Sequence, residues 1–392
     1  MKIFRHLSLV AVGMVLANCL EPQAAPRLDS GNHDFTVTPL ASNLSTPWSV
    51  TPLPRNVDGT DELAPARYLV TERGGALKLL GGDGRLITLA GLPDDIYARQ
   101  QGGVFDVVLA PDFASSQTLF ISYARGTRRH NGTVIISAKL GDASLTEVKD
   151  IFVAAPTKDT ASHFGGRMVI LPDETLVLTL GDGFTYREAA QDKQSHLGKI
   201  VRINLDGSVP RDNPFVGGET QNSEITNRIY SYGHRNVQGL FYDDKTKVLW
   251  SHEHGPRGGD ELNIIKPGEN YGWPLATTGV DYNGARISPF KTLEGTQPFV
   301  KDWVPSIAPS GMTVYNGTLF KDWQGDIFVG GLASRDLRHL EMDGIKFVKE
   351  TKLLSKLNGR VRDVKEDLDG ALLVLIEDST NGQLLRLAPP QN

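Results

Sequence analysis

The chain has 392 residues, 40% hydrophobic, 22% charged and 8% aromatic, an ordinary globular balance that excludes disordered and fibrous classes. At about 150 residues per domain the length allows two or three domains, and 41 Gly with 22 Pro, lacking a collagen period, indicate many turns. Lys and Arg total 41 against 46 Asp and Glu, a net charge of −5, so the basic field that nucleic-acid binding requires is absent.

Residues 1–24 read as a targeting segment. Lys2, Arg5 and His6 make a positive start, and residues 7–16 form an apolar run of signal-peptide length, too short to span a bilayer. Cleavage regions follow at Ala17-Asn18-Cys19 and at Ala24-Ala25. The single cysteine, Cys19, closes a stretch that resembles a bacterial lipobox except that Asn18 stands where a small residue is usual. Plain export to the periplasm or beyond is the expectation, with a lipid anchor at Cys19 the alternative. The mature chain, 25–392, would hold no cysteine, which excludes thiol nucleophiles, zinc–thiolate sites and iron–sulfur clusters and leaves the fold to its core. No later run is long and apolar enough to span a membrane.

A strand–loop–strand phrase then recurs, often closed by Asp-Gly, whose backbone suits tight hairpins. It occupies 68–72 with 76–80 and Asp83-Gly84, 118–123 with 133–137, and 176–180 with 199–203 and Asp206-Gly207. Further copies occupy 248–252 with 261–265, 326–330 with Asp343-Gly344, and 371–376 with 383–387. The six copies are spaced by 45 to 78 residues, and against the roughly 40–50 residues of a four-stranded blade they predict an all-β, six-bladed propeller with antiparallel blades, formed by 25–392 as one domain, with loop insertions after the third and fourth repeats.

In a propeller the strands are scaffold and chemistry gathers in loops at the central channel. Gly-rich loops here carry Gln101, His163, Asp182, Arg235, Asn236, Gly255 and Pro256, while Arg360 and Arg362, two apart on an extended segment, share one face. Each has a plainer reading. His163 and Asp182 could shape turns, Arg235 and Asn236 could decorate a surface loop, and Arg360 and Arg362 could pair with Asp363 and Glu366 on a solvated edge. His252 and His254 alternate without an obvious third ligand, which argues against zinc. Together, however, arginines, an amide and a histidine converging on one channel suit a small polyanion with carboxylates and carbonyls. A histidine with a carboxylate partner suits proton abstraction from a hydroxyl, and a Gly-Pro turn flanked by acids suits a hard cation held by carbonyls. Neither a Rossmann or P-loop fingerprint nor a Gly-x-Ser-x-Gly elbow is present.

The ordered set of motifs resembles the glucose/sorbosone dehydrogenase family, the soluble, exported aldose sugar dehydrogenases that use pyrroloquinoline quinone. The carrying pieces are Gln101-Gly-Gly, His163-Phe-Gly-Gly-Arg167, Gly181-Asp-Gly and Tyr232-Gly-His-Arg-Asn-Val-Gln-Gly239. They continue with His254-Gly-Pro-Arg-Gly-Gly-Asp-Glu-Leu-Asn263, Asn270-Tyr-Gly-Trp-Pro274, Pro305-Ser-Ile-Ala-Pro-Ser-Gly311 and Arg360-Val-Arg-Asp363. The resemblance implies a six-bladed propeller, His163 as general base oriented by Asp182, and Arg235 near the reactive quinone carbonyl. It further implies cofactor contacts at Gln101, Asn236, Tyr282, Gly331, Leu332 and Ala333, with Arg360 and Arg362 gripping carboxylates. Gly255 and Pro256 match the carbonyl turn of a Ca²⁺ that touches the quinone, and Glu261 with the Tyr271 backbone a second, structural Ca²⁺ site. The implied reaction takes an aldose to its lactone by hydride transfer from C1, with electrons passed on to an exported acceptor.

Two departures stand out. Ser162 replaces the acidic neighbour found in glucose-preferring members, and the longer enzymes' insertions are absent, which favours a broad-specificity aldose type. Arg335 falls where some members place a cationic cofactor contact. A non-catalytic binding module of the same family and a Ca²⁺-dependent propeller lactonase are the alternatives; the module would have shed His163, Arg235 or the arginine pair, and the lactonase would not need so many arginines. Monomer and homodimer both remain open.

Overall fold

A computed structural model describes residues 27–29, 34–54, 67–218, 223–357 and 359–390. The leader, its cleavage regions and Cys19 lie outside the described residues.

The chain forms six antiparallel sheets arranged as propeller blades. Blade 1 consists of Pro47–Leu53, Arg67–Glu72, Ala76–Leu80 and Leu86–Thr88, and blade 2 of Val104–Leu109, Thr118–Gly126, Asn131–Leu140 and Leu145–Val153. Blade 3 is Met168–Ile170, Thr175–Thr179, Lys199–Asn204 and Ile229–Tyr232, and blade 4 is Val237–Asp243, Val248–Glu253, Asp260–Ile265 and Lys301–Trp303. Blade 5 contains Pro309–Val314, Ile327–Gly331, Leu337–Asp343 and Lys346–Leu353. Blade 6 begins with Arg360–Glu366, Leu372–Glu377 and Gly382–Ala388, and is completed by chain from the other end: Asp34–Leu44 pairs with Gly382–Ala388, and Arg27–Asp29 adds a short fifth strand.

The first strand of each blade contacts that of the next, and Arg360–Glu366 returns to Pro47–Leu53, so the ring closes. The six repeats of the sequence coincide with the second and third strands of the blades. These strands are buried on both faces and read as apolar runs; the innermost strands are shorter or more polar and leave a weaker trace. The insertions lie in blade 3 (180–198 and 205–228) and in blade 4 (266–300).

Apolar clusters fill the spaces between neighbouring blades. Leu69 and Leu77 of blade 1 meet Val104, Ile121 and Tyr123 of blade 2, and Trp250 and Leu262 of blade 4 meet Val314 and Ile327 of blade 5. Phe35 inserts into the cluster around Trp323 that joins blades 5 and 6. Each fully buried large aliphatic or aromatic side chain contributes about 1.5–3 kcal/mol, so every interface is strongly held. At the hub Arg167, 1% exposed, lies 4.0 Å over the Trp48 ring, donates to Gln238 O and forms an ion pair with Asp363 at 3.1 Å. One guanidinium thereby ties blades 1, 4 and 6 to the entrance of blade 3.

Candidate active site

Three Gly-rich loops end where an innermost strand begins, 101–103 before Val104, 163–167 before Met168 and 233–236 before Val237, and the loop 304–308 leads likewise into Pro309. Arg360 and Arg362 occupy the start of the sixth innermost strand. Residues far apart in sequence are therefore delivered to one mouth of the channel.

A cavity of about 150 Å³ opens there, lined by Gln101, Asn236, Leu332, Arg360 and Arg362 together with Trp48, Arg73, Gln238 and His254. A neighbouring pocket of about 240 Å³ is lined by Arg235, Pro256 and Tyr282 with Phe184, Arg187, Trp273 and Asp281. His163 lines neither but touches a wall residue of each. Its backbone N–H donates to Gln101 Oε1 at 2.8 Å, and its ring meets Phe184 edge-on at 5.2 Å. The residue has φ 52, a left-handed conformation uncommon for any residue but glycine, and its carbonyl packs against Gly181, where a Cβ would come within 2.3 Å. Gly181 is glycine because His163 needs that space.

His163 Nδ1 lies 2.6 Å from Asp182 Oδ1. Asp182 is fully buried and also accepts from Phe184 N at Oδ1 and from Trp273 Nε1 at Oδ2, both at 2.8 Å. A carboxylate with donors on both oxygens is ionised, so Nδ1 carries the imidazole proton and Nε2 keeps its lone pair. Burial alone would raise the Asp182 pKa, but the hydrogen bond from His163, with Arg235 and the Phe184 N–H, holds it below the usual carboxylate value. Burial lowers the pKa of His163, Asp182 opposes that shift, and Arg235 and Lys158 reinforce it. The result is a neutral base with its tautomer set.

Arg235 is 4% exposed; its NH1 donates to His254 O at 3.0 Å and Gly255 O at 2.6 Å, and NH2 lies 3.4 Å from the Tyr282 hydroxyl. Glu253 anchors this segment, accepting from Arg235 N at 2.5 Å and bonding His234 Nδ1 at 2.9 Å. The arginine pair does not turn to Asp363 and Glu366. Asp363 meets Arg167, Glu366 accepts from Asn316 N, and both arginines face Glu377, Arg362 through Nε at 2.5 Å and Arg360 through Nε at 3.8 Å. Burial pushes the Arg362 pKa down to about 10, Glu377 counteracts this, and Arg73 and Arg360 add to it.

Other expected residues fall differently. Gly331 ends a buried strand, and Ala333 lines a separate pocket with Val304 and Pro305, so of that stretch only Leu332 borders the cavity. Gly255, Glu261 and Tyr271 surround a small void with Glu253 and Thr277, and Tyr271 stacks on His234 at 4.6 Å. His252 and His254 address different carbonyls, Gly311 O and Pro309 O. Among the described residues no three His, Cys, Asp or Glu side chains form a ready metal cluster. Sequence reasoning passed over Arg73 and the role of Trp273. Trp273 lies within the motif Asn270-Tyr-Gly-Trp-Pro274, and only the folding of the insertion brings its Nε1 to Asp182.

A buried histidine–carboxylate pair beside a cationic cavity at the channel mouth of a six-bladed ring is a site able to move a proton next to an anionic guest. The glucose/sorbosone dehydrogenase family profile matches residues 44–386, and the chain belongs to that family. Aldose sugar dehydrogenase YliI of Escherichia coli is 39% identical over 356 residues, covering 89% of this chain and 92% of the relative. Quinoprotein glucose dehydrogenase B of Acinetobacter calcoaceticus is 27% identical over 443 residues, covering 92% and 88%. The apo structure of the soluble Escherichia coli aldose sugar dehydrogenase superposes with a TM-score of 0.84 at 37% identity, covering 91% of this chain and 100% of that one. The PQQ-bound aldose sugar dehydrogenase of Streptomyces coelicolor gives 0.71 at 26% identity, covering 90% and 98%.

Proposed function

We propose that this protein is an exported, pyrroloquinoline-quinone-dependent aldose dehydrogenase that oxidises the anomeric hydroxyl of aldose sugars to lactones and passes the electrons to an exported acceptor. The observation that carries the reading is the His163–Asp182 pair, with Nε2 left free, beside a cationic cavity and a pocket bordered by Arg235. The PQQ-bound relative and the quinoprotein relative support the choice of cofactor.

The cavity residues fit a flat, multiply anionic guest. Arg360 and Arg362 share a single carboxylate, Glu377, and so retain unmet positive charge, while the Trp48 and Phe105 rings, 5.3 Å apart, supply apolar wall. Pyrroloquinoline quinone, when bound, supplies the two-electron acceptor for C1 of the sugar. His163 Nε2 removes the proton of the C1 hydroxyl, and Asp182 holds Nδ1–H and stabilises the imidazolium that results. Arg235 keeps a fixed positive charge beside the reacting centre, with no reorganisation at the moment of reaction.

Calcium fits one of its two implied positions. Glu253 and Glu261 are direct cross-strand partners on the same void, and burial, followed by the Glu253 charge, raises the Glu261 pKa well above the usual range. The carboxylate has only the Asn263 amide at 3.4 Å, a donor set that a hard cation would complete. At Gly255 the carbonyl already accepts from Arg235 at 2.6 Å, so a cation there would face a guanidinium. No step is assigned to it.

The test is titration of purified apoprotein with pyrroloquinoline quinone and Ca²⁺ while dye reduction is followed across a panel of aldoses. Sugar-dependent reduction is expected, with His163→Ala losing at least about 100-fold in kcat while still binding cofactor. Absence of reduction with every sugar at saturating cofactor, or full activity in His163→Ala, would overturn the reading.

A further inference from the structure

Arg73 belongs to none of the motifs that carry the family resemblance. It follows the second strand of blade 1 and opens the hairpin to Ala76–Leu80, yet its side chain lines the same cavity as Arg360 and Arg362. Its NH2 lies 3.7 Å from Glu377 Oε1, the carboxylate that the other two arginines also face. Three guanidinium groups thus converge on one acid, leaving two positive charges uncompensated at the cavity wall.

The backbone of Arg73 is fixed from two sides. Its N–H donates to Thr46 O at 3.0 Å, and its carbonyl presses against Gly103, where a Cβ would come within 1.7 Å. Gly103, at φ 143, is thereby the residue of the Gln101-Gly-Gly motif that admits Arg73 to the channel mouth. The side chain is 22% exposed, against 43% for Arg360 and 5% for Arg362. Unlike Arg362, it keeps donors free for a guest. Arg335, the further cation expected from sequence, is not among the cavity-lining residues.

Building on the functional reading above, we infer that Arg73 is the third carboxylate-binding side chain of the cradle, so that the cavity selects a planar guest bearing three carboxylates over one bearing two. Its planar fork can engage a carboxylate through two parallel N–H bonds, which a lysine cannot reproduce. The like-charge crowding among the three arginines is relieved when such a guest arrives, which favours the loaded state.

Isothermal titration of the apoproteins with pyrroloquinoline quinone at fixed salt tests this directly. R73Q should weaken binding by about 10- to 100-fold, and R73K should recover only part of that loss. The affinity of R73Q should also depend less steeply on ionic strength, because one fewer fixed cation faces the guest. Wild-type binding with R73Q within twofold of it would overturn the inference and leave the functional reading standing. Failure of the wild type itself to bind the quinone would overturn both. Should R73Q not fold, equal affinity of R73K and wild type at both low and high salt would overturn the inference.

Discussion

Asp182→Asn is the sharpest single perturbation of the site. The wild-type carboxylate accepts three hydrogen bonds, from His163 Nδ1 and Phe184 N at Oδ1 and from Trp273 Nε1 at Oδ2. An asparagine amide offers one oxygen and one NH2. With the NH2 toward Trp273, two donors face each other across about 2.8 Å. With the NH2 toward His163 and Phe184, the backbone N–H is orphaned and the imidazole is driven to the opposite tautomer, with its proton on Nε2. The first orientation costs about 1–3 kcal/mol as a buried unsatisfied donor, and the second removes the base's lone pair from the substrate side. Both also remove the negative charge that stabilises the imidazolium. The expected loss in kcat is about 10³- to 10⁴-fold, with a drop in stability of about 1–3 kcal/mol. The assay is dye reduction by reconstituted enzyme at saturating aldose, paired with urea unfolding and a cofactor titration. Cofactor affinity should stay within about threefold, because Asp182 does not line the cavity. A folded variant with kcat within tenfold of wild type would refute the assignment of Asp182 as the orienting acid.

Further outcomes follow from the same geometry. Because His163 acts only when neutral and its pKa is lowered, activity should persist below the ordinary histidine value of about 6.5 and fall only as pH drops through the lowered pKa. Lys158, buried over the Phe164 ring at 3.4 Å, adds to that lowering together with Arg235 and against Asp182, so Lys158→Met should move the acid limb of kcat upward; a limb that stays put contradicts this. Chelation should lower the melting temperature of calcium-loaded protein, and Glu261→Gln should be insensitive to chelator and at least as stable as the chelated wild type, since it removes a buried like charge beside Glu253. Phe35→Ala, at the strand that closes the ring and packed on Trp323 at 6.3 Å, should cost about 3–5 kcal/mol in denaturant unfolding. A loss under about 1 kcal/mol would mean that the closing strand is not integral to the core.

Much of this was legible before folding. The doubly buried second and third strands of the blades advertise themselves as apolar runs, and the Asp-Gly turns mark their ends, so the blade count follows. The closing strand 34–44 was not legible, because its partner lies more than 300 residues away and its own pattern is mixed. Gln101, His163, Asp182, Arg235, Asn236, Arg360 and Arg362 stand out because loop residues of those chemical types have little reason to cluster otherwise. Ala333 and Arg335 fall off the cavity because side-chain direction at the end of a blade depends on local turns that spacing does not encode.

Local chemistry written in the chain determined the scaffold type and named most of the groups able to bind anions or move a proton. Only the closed ring decided which of them meet: Arg73 comes from a turn near one end of the chain, Arg360, Arg362 and Glu377 come from strands near the other, and Trp273 reaches Asp182 from an insertion. The physical reason is that a charge or a hydrogen bond acts through a few ångströms of space, while sequence records only distance along the backbone.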